Sequence, residues 1–335
     1  MSEELPLLGP TPATRRGAGA LPAPAAGSPL RVTPPPDVFL GTSSWSFPGW
    51  QGLVWDGDYT ADTLARAGLP AYAALGLFQT VGIDRTFYAP LSDEAFGAYA
   101  RQVRDGFRFL VKAPQAVTDA VIRLEGGRSS GPNPRYLDAA FAIARFVEPA
   151  MAGLGDKAGP LVFQFPPAPR EILAEPAEWV GRLATFLGAL PRVVGGRRPL
   201  YAVELRNAEL VTPRLVRTLD EQGVRYVVGL HARMPALERQ AAALERMAPG
   251  PVVVRWSLHS GFKYEQAKSR YFPFDRIVDD DPTTRNALAR LAADAFRAGH
   301  PVWIIVNNKA EGSAPLSLYR LYMAMIGLIG GVPAA

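Results

Sequence analysis

Along the chain, short runs rich in β-branched and aromatic residues alternate with longer amphipathic or alanine-rich stretches. Eight such runs stand out: VFLGT from Val38, TVGIDRTF from Thr80, FRFLVKA from Phe107, PLVFQF from Pro160, LYAVELR from Leu200, YVVGLH from Tyr226, VVVRW from Val252 and VWIIVN from Val302. Helices are expected over 93–103, 136–151, 175–190, 212–221, 236–246 and 283–298, each long enough for a crossover connection. Alternation of this kind is the pattern of βα units around a parallel sheet. Segments such as LVF, VVV and WIIV are apolar throughout, as strands covered on both faces must be. Eight units favour closure into an α/β (β/α)8 TIM-type barrel. An open doubly wound sheet is the rival, but its glycine-rich first turn is absent: GTSSWSFPGW does not match GxGxxG, and no P-loop occurs.

Composition narrows this reading. The sequence has 335 residues, 48% hydrophobic and 20% charged, enough apolar material for a substantial core. Residues 1–36 differ: GAGALPAPAAGSP and TPPP bury too little apolar area to offset their ordering entropy, so this stretch reads as a disordered tail and 37–330 as the barrel. No cysteine is present, which excludes disulfides, thiolate zinc sites and a cysteine nucleophile, and fits a cytoplasmic setting. The amino terminus lacks the layout of a secretory signal. The run 316–329 is too short to span a bilayer and reads as a buried terminal helix. A net charge of +5, from 36 basic and 31 acidic residues, does not by itself imply nucleic-acid binding.

In such barrels the chemistry sits at the carboxyl ends of the strands, so the polar residues that close each apolar run carry the candidate site. These are Ser43 and Ser44; Asp84, Arg85 and Thr86; Lys112; Gln164; Glu204 and Arg206; His231; Arg255; and Asn307 and Asn308. Strand alternation puts Glu204 and Arg206 on one face, as a structural ion pair or as a substrate grip. Lys112 ends an apolar run, where desolvation suits it to act as a base or nucleophile, or to bind an anion. The segment NNKAEGSAP offers Lys309, Gly312 and Ser313 to a phosphate, or simply starts a helix. Long connections at 114–135 and 257–282 are candidate lids, the second carrying His259, Lys263, Tyr264, Lys268, Arg270 and Tyr271. Asp279, Asp280 and Asp281 read as helix-start acids. With only His231, His259 and His300, no histidine-rich metal site is expected, nor any cofactor; a magnesium ion on carboxylates stays open.

The motifs GTSSWSFPGW, TFY at 86–88, FRFLVKAP, FQFPP and YAVELRN, in that order, resemble those of the YecE-like proteins, the domain of unknown function 72, from Val38 to the last helix. The resemblance implies a TIM-type barrel with a polar pocket at its end, and no settled activity. It marks Trp45, Thr86, Tyr88, Lys112, Gln164, Glu204, Arg206, Asn307 and Asn308 as pocket residues. Where many relatives read VEINSTFY this chain has VGIDRTFY, with Gly82 and Asp84 at the usual glutamate and asparagine, so either the acidic function has moved or the ligand differs. His231 stands where an aspartate is usual.

The leading expectation is a metal-independent enzyme acting on a small anionic compound. Glu204, Lys112 and Asp84 would be its catalytic groups, and Trp45, Thr86, Tyr88, Gln164, Arg206, Arg255, Asn307 and Asn308 its substrate contacts. On this reading, replacing Glu204 or Lys112 removes activity and leaves stability nearly intact. The alternative is a nucleic-acid or small-ligand binding protein that uses the basic loop from Ser257 with Trp45, Tyr88 and Tyr271 for stacking. A third is an assembly partner with a relic pocket. No membrane partner is expected, and the oligomeric state is not legible.

Overall fold

The computed structural model describes residues 21–123, 128–259 and 261–330. Eight parallel strands form a closed barrel: β1 (Val38–Thr42), β2 (Thr80–Ile83), β3 (Arg108–Lys112), β4 (Ala158–Gln164), β5 (Leu200–Glu204), β6 (Arg225–Leu230), β7 (Val252–Trp256) and β8 (Val302–Val306). Each pairs with its neighbours in sequence, and the ring closes with Val38 opposite Val302 and Thr42 opposite Val306. All eight apolar runs are therefore strands of one (β/α)8 barrel.

Alternation along each strand sorts the side chains into two cores. Leu40, Phe109, Phe163, Val203, Val228, Val254 and Ile304 point outward into the large core beneath the helices. Their neighbours Leu110, Val162, Ala202, Val227, Val253, Trp303 and Ile305 point inward and form a separate apolar plug. Both faces are dry, which explains the unbroken hydrophobicity of these segments.

Most crossovers match the expected helices, as at Asp93–Ala100, Pro176–Gly188, Pro213–Glu221, Leu237–Leu244 and Pro282–Arg297, and Ala314–Ile329 is the terminal helix. The expected stretch 136–151 becomes helix Ala139–Ala142, a π-helical turn Ile143–Val147 and helix Glu148–Leu154. Two short helices after β1, Ala61–Ala67 and Leu69–Ala73, escape a periodicity search because Gly68 and Pro70 break them before a long repeat can build. Both long connections also hold structure. The first contains the helix Gln115–Thr118 and an antiparallel pairing of Val121–Arg123 with Ser129–Pro132; the second contains the helix Tyr264–Tyr271. Of the three aspartates, Asp281 caps the next helix by accepting from Thr284 N at 3.0 Å. Asp279 and Asp280 instead pair with Arg270 and Arg285, at 2.7 Å each.

The tail needs correction. Residues 1–20 lie outside the described residues, but 21–36, expected to be disordered, pack on the barrel. Leu30 is fully buried, Ala25 N donates to Val54 O at 3.0 Å, and Ser28 Oγ donates to Leu53 O at 2.5 Å. Proline has no N–H, so this segment settles on the surface with few backbone donors left to satisfy. Among the described residues no helix is long and apolar enough to cross a membrane.

Candidate functional site

Counting two residues beyond the apolar plug on five of the strands leads directly to the polar set; on β6 the same count from Val227 reaches Gly229. Leu110 is followed by Lys112, Val162 by Gln164, Ala202 by Glu204, Val253 by Arg255 and Ile305 by Asn307. Period-2 alternation keeps these side chains inside the barrel, one layer nearer its carboxyl end. Pairing aligns them further: Gln164 lies opposite Glu204, and Lys112 opposite Val162.

Glu204 is the hub. It is fully buried, and its two oxygens each meet a guanidinium at 2.7 Å, Oε1 that of Arg206 and Oε2 that of Arg255. Arg255 reaches on to Asp84, with Nη2 at 3.0 and 3.2 Å from the two carboxylate oxygens. Gln164 Oε1 accepts from Arg255 at 3.1 Å and from Arg206 at 3.2 Å, so one amide stitches both cations together. Burial alone would raise the Glu204 carboxyl, but the neighbouring Arg206 and Arg255 override it and hold the group below the ordinary carboxylate range. Burial likewise disfavours the Arg255 charge, and Asp84 and Glu204 more than restore it.

Lys112 is different. Its Nζ has no hydrogen-bond partner among the described residues and sits 3.6 Å from the centre of the Phe87 ring. Burial pushes it down to about 8, against the pull of Asp84. Together the layer holds three cations, Lys112, Arg206 and Arg255, against two carboxylates, Glu204 and Asp84. Its open edge is Asp84, whose side chain is 35% exposed, with narrow access at Lys112 (9%). Arg206 Nη1 and His231 Nδ1 are buried without hydrogen-bond partners. Burial and then Arg206 lower His231 to about 4, so its imidazole is neutral at physiological pH.

The remaining expected residues divide. Asn307 stays near the mouth, donating to Ser43 Oγ at 2.7 Å and accepting from Lys309 Nζ at 3.0 Å. Lys309 lies 4.2 Å from the Tyr264 ring centre, and burial lowers it to about 8. Three others are engaged in packing. Trp45 donates to Leu64 O at 3.0 Å; Thr86 Oγ1 ties β2 to β3 through Ile83 O and Lys112 O, at 2.9 and 2.6 Å; Asn308 Oδ1 accepts from Trp50 and Ala314 N. Tyr88 is 78% exposed and touches Phe87 edge-on. The phosphate cradle at Gly312 and Ser313 is not formed. Ser313 is fully buried, Ala314 N is already capped, and Gly312, at φ +118°, has Arg276 O only 2.5 Å from where a Cβ would stand. That glycine serves close backbone approach. Phe87, under Lys112, was not among the expected pocket residues, although it is the central residue of the TFY motif at 86–88.

Among the described residues no group of three His, Asp or Glu side chains is placed to hold a metal ion. A family model described as "Protein of unknown function DUF72" matches residues 39–328. No curated protein matches. Among solved structures, a DUF72 family protein from Enterococcus faecalis V583 is similar over 88% of this chain and 96% of that one, at 18% identity and a TM-score of 0.55. Another from Thermotoga maritima MSB8 is similar over 87% and 99%, at 17% identity and a TM-score of 0.52. At these identities the likeness is one of fold.

Proposed function

The chain belongs to the DUF72 family of proteins of unknown function, and we propose that the charged end of its barrel binds and transforms a small compound bearing a phosphate or carboxylate. The observation that carries this reading is Lys112, a buried cation with no hydrogen-bond partner in a layer where cations outnumber carboxylates. Charges taken out of water without a partner are costly, so the arrangement suits an anion that arrives from outside. Arg206 has a buried donor to spare and would join Lys112 in holding it. Glu204, doubly ion-paired, sets the position of both guanidiniums. With a value near 8, Lys112 supplies neutral amine as base or nucleophile at mildly alkaline pH. Asp84, the accessible carboxylate, is the candidate proton carrier at the mouth.

Thermal-shift screening of the full chain against small phosphates and carboxylates tests this. Stabilising compounds should lose their effect in Lys112→Met and Arg206→Met. Identical shifts in wild type and both variants would reject the site. Exposed Tyr88, Tyr264 and Phe272 support a second reading, single-stranded nucleic acid stacked on surface aromatics. That reading requires binding with a steep salt dependence, and a flat isotherm at low salt removes it.

A further inference from the structure

The opposite end of the barrel is not a smooth floor. A cavity of about 680 Å³ opens there between the N-terminal proline segment, the last turns of helix Ala314–Ile329 and the amino ends of β1 and β3. A second of about 200 Å³ adjoins it, and the two share Asp37, Phe39 and Arg108. Together they fall in the size range of small-molecule sites.

The lining has two characters. One wall is apolar, with Pro35, Val38, Ile326 and Ile329. At the junction Phe39 stacks on Trp303, ring centres 4.7 Å apart and planes 11° from parallel, a flat aromatic surface. Beside it stands Arg108, half-buried, whose side chain makes one hydrogen bond among the described residues, to the carbonyl of the preceding residue at 3.2 Å. Among the described residues no carboxylate lies within ion-pair distance of Arg108; the acid it acts on electrostatically, Asp156, is already held by Arg197 at 2.6 Å, and Asp37 is the sole acid among the residues lining either cavity, with Arg198 a second cation in the smaller one. Trp303 is 7% exposed and its Nε1–H has no acceptor; it points toward Gly159, another lining residue, whose added Cβ would lie 3.3 Å away.

We propose that this end of the barrel is a second ligand site, which takes a small organic acid. Its flat or aliphatic body lies along the proline and isoleucine wall beside the Phe39–Trp303 stack, and its carboxylate or sulfonate is held by Arg108. A guanidinium with free donors grips such a group bidentately, and the apolar wall supplies the desolvation that strengthens the pair. Chemistry in this fold belongs to the other rim, so the occupant here is an effector or a carried compound, not a substrate.

The test uses 8-anilinonaphthalene-1-sulfonate, a flat apolar sulfonate, titrated into the full chain and followed by its fluorescence, with decanoate as competitor. One saturable, decanoate-displaceable site is expected, weakened roughly tenfold or more by Arg108→Gln, as loss of a charged hydrogen-bonded pair implies. Because Arg108 lies in a strand, Ile329→Trp, which fills the cavity from the last helical turn, provides an independent variant and should block binding. Lys112→Met should leave it unchanged. Absence of saturable binding, indifference to both cavity variants, or loss in Lys112→Met would each overturn the assignment. Equal affinity for uncharged N-phenyl-1-naphthylamine would overturn the role of Arg108.

Discussion

The two ends of this barrel follow one alternation rule and are filled with opposite chemistry. Toward the carboxyl rim, the inward positions are Lys112, Gln164, Glu204 and Arg255; below them, on the same strands, they are Leu110, Val162, Ala202 and Val253. Ala202 and Glu204 are two residues apart, yet one belongs to a packed hydrocarbon plug and the other to an ion network. Apolar packing contributes stability wherever it is buried. Buried ion pairs seldom do, because desolvation consumes most of the Coulombic gain. A network that returns little stability, sited where this fold keeps its chemistry, is what motivates the proposal that this end recognises a ligand. The plug needs no such explanation.

Four measurements sharpen or break this contrast. The largest loss is expected from Trp303→Ala, which removes the Phe39 stacking partner from the plug and should cost about 4 kcal/mol in urea unfolding. A loss below about 1 kcal/mol would mean the plug collapses around the change. Glu204→Gln follows, at about 3 kcal/mol, since it leaves two buried guanidiniums without their shared anion. That outcome replaces the expectation, natural from sequence, that Glu204 can be neutralised without harm. If Glu204→Gln were as stable as the parent, the network would be a solvated patch.

The third measurement is pH dependence. Lys112 is lowered to about 8 by burial, so between pH 8 and 10 the unfolded chain holds a proton there that the folded chain has released. Stability should rise with pH across that window, by about 2 kcal/mol from this group. Lys309, lowered similarly, adds to the trend. Above pH 10 tyrosine ionisation in the unfolded chain reverses it, because burial raises Tyr72, Tyr201 and Tyr226 in the folded one. Lys112→Met should flatten the rise, and an unaltered slope would show that Lys112 is solvated. The smallest effect is expected for Tyr88→Ala, an exposed side chain, within about 0.5 kcal/mol of the parent. A larger change would place Tyr88 in contacts this fold does not give it.

Much of the charged cluster at the candidate site was legible because alternation is local. Once VVVRW and LYAVELR are taken as strands buried on both faces, Arg255 and Glu204 must point inward at the same end. Other residues misled because a strand-end position does not say which way a side chain turns after the strand stops. Thr86, Asn308 and Trp45 all follow strands, yet each is engaged by a neighbouring carbonyl, amide or indole. The N-terminal segment was misjudged for a related reason. Composition reports how much apolar area a segment carries, not whether a shaped surface waits to receive Leu30 and Ala25.

Periodicity and apolar content were sufficient for the strands, their order and the barrel, since hydrophobic burial acts on patterns readable one segment at a time. The assignment of charges to partners was decided only by closure. Glu204 meets Arg255 across 51 residues and Arg255 meets Asp84 across 171, and strong attraction between such groups depends on distances of a few ångströms within a space that water has left.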